Sequence, residues 1–208
     1  MLDKAMCLVR AVEGGPLALT ALVHQTGLSR ATAHRLAVAL EAHGMLRRNT
    51  DGRFGMGLQF IEWGRDATGQ LDVIAAALVP MHELRELSGE SVQLYVRDGE
   101  QRRCVAALES PHELRTIVPV GSLLPLDRGS AGRVLLGDIA PAGWVATAAD
   151  RQAGVGSVSA PVCGADGDII AAVSVSGPLD RLGGEPGLAW GAAVVDTARR
   201  IEAGVPRS

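Results

Sequence analysis

Within residues 29–35, two hydroxyls (Ser29, Thr32), two guanidiniums (Arg30, Arg35), one imidazole (His34) and the small Ala31 fall inside two helical turns. This set suits base and phosphate recognition. Arginine pairs with the guanine edge, and threonine or alanine touches a thymine methyl in a DNA major groove. Arg47, Arg48 and Arg53 form a second cationic group suited to backbone phosphates.

Such groups act only if a helix presents them outward. Thr20 is expected to cap one helix, Gly27 to end it in the left-handed conformation, and Ser29 to cap the next, so that two helices turn sharply on each other. In the second helix Ala33, Leu36, Ala37 and Leu40 repeat at i, i+3, i+4 and i+7, the spacing of a buried face. Ala31 and Arg35 then point away from it, with Thr32 and His34 on the flanks and Arg30 in the open first turn, where phosphate is favoured. Asn49-Thr50-Asp51-Gly52 reads as a hairpin turn between short strands bearing the three arginines. Helix, turn, helix and basic hairpin in that order read as a winged helix-turn-helix. The competing reading is a solvated helical hairpin with an arginine-rich turn.

Hydrophobic residues make up 47% of the 208 and charged ones 21%, which indicates a globular chain large enough for two cores. No apolar run approaches the ~20 residues needed to span a bilayer, and the N-terminus has no signal-peptide pattern, so a cytoplasmic, nucleoid-associated protein is expected. The net charge of −3 is uneven. Residues 1–57 hold seven Lys or Arg against four Asp or Glu, a net +3, and the remainder carries −6. A basic head on an acidic body fits a head that meets nucleic acid. Cys7, Cys104 and Cys163 have neither metal-ligand spacing nor a disulfide pattern, so no metal and no cofactor are expected.

Along the chain, Asp3 is expected to cap a first helix with Ala5, Cys7, Leu8 and Val12 on its buried stripe, and Leu17-Ala18-Leu19 to form a small strand against the hairpin. A linker helix runs from Leu58 and is interrupted near Thr68-Gly69, and an apolar helix covers 71–87. The period then changes. Val92, Leu94 and Val96 alternate with polar residues, Asp98-Gly99 turns the chain, and Cys104–Leu108 returns. Further strands are expected at 114–118, 143–145, 157–162 and 169–176, with a short helix at 129–136 and a last helix near 188–202. The fold class is therefore α+β: a winged helix-turn-helix (1–57), a linker helix (58–70) and an antiparallel-sheet domain (71–208).

The runs TGLSRATAHRLAVALEAHGMLRR, DGRFGMGLQF, LSGESVQLYVRDG, VPVGSLLPL, SVSAPV and AAVSVSGPLDRL, in this order, resemble the IclR family of bacterial transcriptional regulators, most of all its NdgR/AreB branch, whose members control amino-acid metabolism. The resemblance implies a GAF-like effector domain, a homodimer or tetramer on palindromic double-stranded DNA, and a repressor with a small-molecule effector. It implies effector contacts from Gly129, Ser130 and Ala131, whose amides could bind a carboxylate, from Thr147 and Ser157 on facing strands, and from Ser174 and Ser176. The chain departs from the family between 136 and 143, where a long, mostly helical cover is cut to Gly137–Ala142. A shallow or lost effector site, and hence a constitutive regulator, is the alternative this departure raises.

No enzyme is expected. His24, His34, His43, His82 and His112 lack an identifiable Ser, Cys or acid partner. A cysteine-based redox enzyme on the GAF-like body and an interaction module without DNA contacts are the remaining alternatives.

Overall fold

The computed structural model describes residues 1–69, 72–150 and 152–206. It divides into two compact units, Met1–Thr68 and Gly69–Ser208. The expected linker end at Gln70 and the helix start at Leu71 lie outside the described residues.

The first unit contains α1 (Leu2–Ala11), α2 (Leu19–Thr26), α3 (Arg30–Ala42), β1 (Leu46–Arg48), β2 (Phe54–Met56) and α4 (Gln59–Gly69). Leu8 and Val9 of α1 with its C-cap Val12, Leu22 of α2, Ala33, Ala37 and Leu40 of α3, and Leu46 and Phe54 of the hairpin close its core. Two local expectations are corrected at helix starts. Thr20 is not the cap of α2, because Leu17 exchanges both backbone bonds with Phe54 at 2.8 Å and the chain passes straight into the helix through Ala18. The expected strand over 17–19 is reduced to that single bridge. Asp3 lies inside the first turn of α1, one residue beyond Leu2, where its charge complements the helix dipole without capping it. Cys7 is exposed, and Val9 takes its place on the buried stripe.

The second unit is a six-stranded antiparallel sheet ordered β5-β4-β3-β8-β7-β6, built from β3 (Ser91–Asp98), β4 (Gln101–Leu108), β5 (Leu123–Pro125), β6 (Val145–Ala148), β7 (Val155–Cys163) and β8 (Ile169–Pro178). Its helices are α5 (Asp72–Ser88), α6 (Ser130–Leu135), α7 (Leu179–Leu182) and α8 (Pro186–Gly204). Strand alternation sorts the two faces. Val173 and Val175 of β8 and Val158, Ala160 and Val162 of β7 pack with Met81 of α5 and Ile201 of α8. The adjacent Ala172 of β8 packs on the other face with Ala131, Val134 and Leu135 of α6. The register shift opposite Leu94/Tyr95 leaves Val105 as an extra residue, so Arg102 and Cys104 share the α6 face while Ala106 joins the α5–α8 core.

The expected strand at 114–118 is absent, and β5 lies further on. Side chains take that segment's carbonyls: Ser91 Oγ donates to Thr116 O at 2.7 Å, and Arg181 Nη2 to Leu114 O at 2.7 Å. β6 begins at Val145, because Gly143 (φ +82°) is still in a turn bonded to Ala140 O. Trp144 instead lies against Gly187 and Gly191 of α8, where a Cβ would come within 2.4 Å of its ring. Among the described residues, no helix is long and apolar enough to cross a membrane.

Candidate functional site

In the first unit, Gly27 (φ +66°) ends α2 and Ser29 starts α3. Ser29 Oγ accepts from Thr32 N at 3.3 Å and donates to Thr32 Oγ1 at 2.9 Å. The two hydroxyls of the expected recognition surface are thus bonded to each other. Thr32 is half-buried, whereas Arg30, Ala31, His34 and Arg35 are exposed on the side opposite Ala33, Ala37 and Leu40. This is the small, cationic face that a major groove admits.

The hairpin is closed by Asn49, whose Oδ1 accepts from Asp51 N at 3.1 Å and Arg53 N at 2.9 Å, with Gly52 at φ +75°. Its arginines differ. Arg48 stacks 4.5 Å above the Phe54 ring and pairs with Glu41 at 3.1 Å, and Arg47 donates to Met56 O at 3.1 Å. Arg53 is exposed at the tip with no side-chain bond among the described residues. Arg53→Ala should therefore report a phosphate contact alone. It should weaken every DNA sequence alike and lower the salt slope of binding by about one unit, read from titrations at several salt concentrations.

In the second unit, Gly129, Ser130, Ala131, Thr147, Ser157, Ser174 and Ser176 all line one cavity of about 30 Å³. α6 presents the first three, and the β6–β7 register sets Thr147 opposite Ser157. Ser174 and Ser176, two apart on β8, face the same way. The hydroxyls of Ser130, Thr147, Ser157 and Ser176 are hydrogen-bonded within the cavity wall. Ser130 Oγ pairs with Ser157 Oγ and Ser159 Oγ at 2.7 Å each, Thr147 Oγ1 with Ser157 Oγ at 3.0 Å, and Ser176 Oγ donates to Gln93 Oε1 at 2.9 Å.

Five participants were missed: Gln93, Tyr95, Arg102 and Val155, which line the cavity, and Ser159, which bonds into it. Arg102 had a readable signal, being a charge at the same strand parity as the buried Cys104. Its guanidinium is 5.3 Å from the Tyr95 ring centroid and donates to Pro125 O and Arg128 O. It packs close to two glycines: at Gly132 a Cβ would lie 2.1 Å from Leu126 O and 2.5 Å from its Nη1, and at Gly129, whose φ is +74°, 3.2 Å from its Nη2. Asp150 was also missed. Its Oδ2 accepts from Gly129 N at 2.7 Å.

The five histidines are all exposed, and no metal-binding cluster occurs among the described residues. Burial pushes the Cys104 thiol up to about 11, and burial followed by the neighbouring Glu202 raises that of Cys163. Neither is an activated nucleophile. Because the folded state keeps the Cys104 proton that the unfolded state loses near pH 9, stability should fall as pH rises from 9 to 11, whereas Cys104→Ser should flatten that limb of a pH series of thermal melts.

Residues 1–50 match the model of the IclR helix-turn-helix domain, and residues 65–142 match that of the bacterial transcriptional regulator IclR C-terminal domain. The HTH-type transcriptional regulator KipR of Bacillus subtilis is 34% identical over 134 residues, which span 64% of this chain and 54% of KipR. The HTH-type transcriptional repressor AllR of Escherichia coli is 24% identical over 96% of this chain and 88% of its own. Among solved structures, the Thermotoga maritima IclR superposes with a TM-score of 0.83 at 18% identity, covering 98% of each chain. An IclR homologue from Microbacterium hydrocarbonoxydans, complexed with 4-hydroxybenzoate, superposes at 0.84 and 20% identity, covering 100% of this chain and 99% of its own.

Proposed function

Because the chain belongs to the IclR family of bacterial transcriptional regulators, we propose that it represses transcription by binding a palindromic operator as a homodimer. The exposed face of α3 carries this reading. Arg30, Ala31, His34 and Arg35 enter the major groove, Ser29 and Thr32 hold the start of the helix, and Arg47, Arg48 and Arg53 grip the phosphates beside it. The resemblance to the NdgR/AreB branch supports genes of amino-acid or related metabolism as targets, in the cytoplasm and on the nucleoid.

The hydroxyl-lined cavity is the effector site in this reading, supported by the joint placement of all seven expected residues. Its size favours a second reading of the same body. About 30 Å³ admits a water or two and is far below the volume of an ordinary metabolite site, which supports a regulator that acts without a diffusible effector.

Selection of bound sites from a pool of randomised duplexes, followed by gel-shift titration at two salt concentrations, tests the DNA assignment. A recurring two-fold sequence whose binding survives nonspecific competitor is the expected result. Enrichment of nothing would leave the interaction-module alternative in its place.

A further inference from the structure

Thr50 stands exposed at the tip of the β1–β2 hairpin. It is the single serine or threonine of the chain with arginine both two and three residues before it, Arg48 and Arg47. The turn is closed by Asn49 Oδ1 through Asp51 N and Arg53 N, so the Thr50 hydroxyl takes no part in holding it and makes no side-chain bond among the described residues. Arg47 and Arg48 are exposed as well, and among the described residues they commit only Nε, to Met56 O and to Glu41. The strand ladder ends at Arg48 and Phe54, so 49–53 can be drawn out at the cost of turn bonds alone. A free hydroxyl on a protruding turn, two guanidiniums at fixed spacing before it, suits an enzyme that grips its substrate with carboxylates.

We propose that Thr50 is a phosphorylation site for a serine/threonine protein kinase with an acidic substrate groove, and that its phosphorylation releases the hairpin from DNA. The inference rests on reading the hairpin as a phosphate contact. Thr50 Oγ1 attacks the γ-phosphorus of a nucleoside triphosphate held by the kinase, the bond to the bridging oxygen breaks, the nucleoside diphosphate leaves, and the hydroxyl proton passes to the kinase's base. Residues 46–56 hold three arginines and Asp51, a net +2. Phosphothreonine brings about −2 at pH 7, which cancels that charge, and its oxygens compete with DNA for the tip guanidinium of Arg53.

Full-length protein is treated with ATP and the catalytic subunit of the cyclic-AMP-dependent protein kinase, which selects arginine at these two positions, and mass spectrometry of its peptides locates the product. Thr50 should carry the phosphoryl group. Thr50→Val, which keeps the β-branched shape, should stay unmodified there and bind duplex as wild type does. Modified wild type should bind the selected duplex at least about tenfold more weakly at low salt, with a salt slope lower by about two units, against about one for Arg53→Ala. The loss should fall on all sequences alike. No phosphoryl group on Thr50, equal binding before and after treatment, or an equal loss in treated Thr50→Val would overturn the switch. Wild-type protein that binds no duplex before treatment sinks the DNA reading, and the switch falls with it; duplex binding that persists unaltered after modification sinks the switch alone.

Discussion

Arg181→Ala is expected to destabilise the sheet-bearing unit by about 3–5 kcal/mol, the usual cost of stranding one member of a buried ion pair. Glu90 sits at the start of β3 with its side chain 2% exposed, and Arg181 of α7 holds it with two bonds, Nε at 2.5 Å and Nη2 at 2.9 Å. Arg181 Nη2 also bonds Leu114 O, which ties down the irregular 109–120 segment. On its other side β8 covers Glu90 closely: a Cβ on Gly177 would lie 2.3 Å from its Oε2, so without the guanidinium the carboxylate loses its partner while that side stays buried. The reverse substitution should be milder. Arg181 keeps 32% of its side chain exposed and can turn toward solvent when Glu90→Gln removes its partner. Urea denaturation of both variants measures the asymmetry; equal losses would mean that the pair is not the buried lock described here.

Arg35→Ala should weaken operator binding by about 1–3 kcal/mol and relax the sequence preference at the base pair it reads. The fold should not change. Arg35 is exposed on α3, opposite Ala33, Ala37 and Leu40, and makes no side-chain bond among the described residues. The two kinds of arginine therefore separate cleanly. Loss of Arg53 lowers affinity for all sequences together, whereas loss of Arg35 lowers affinity for the operator and flattens its advantage over other DNA. Site selection repeated with the variant reads the difference directly. An unchanged consensus and unchanged affinity would exclude Arg35 as a base contact and shift recognition to Arg30 or His34.

The recognition surface was legible in the sequence because everything that builds it is local. Gly27 and Ser29 mark the two sides of the turn within three residues, and Ala33, Ala37 and Leu40 mark the buried face within two helical turns. The first residue of α2 was not legible, since a bond between Leu17 and Phe54, far apart in the chain, decides where that helix begins. The cavity divides in the same way. Ser174 and Ser176 are readable as facing one way because strand side chains alternate. Resemblance, not spacing, pointed to Gly129–Ala131, Thr147 and Ser157.

Sequence by itself determined the two-part α+β organisation, the basic head and the shared facing of the Ser174 and Ser176 hydroxyls, since helix caps, turn residues and hydrophobic period act between near neighbours. Tertiary structure decided what those hydroxyls enclose. The β4 register shift turns Arg102 and Cys104 to the α6 face, side-chain bonds deny 114–118 a place in the sheet, and Gln93 meets Ser176 only once β3 pairs with β8. Asp150 reaches Gly129 across the whole of α6 and β6. Each of these depends on a long-range pairing that no window of sequence contains, because a strand's partner is chosen by the packing of the complete sheet.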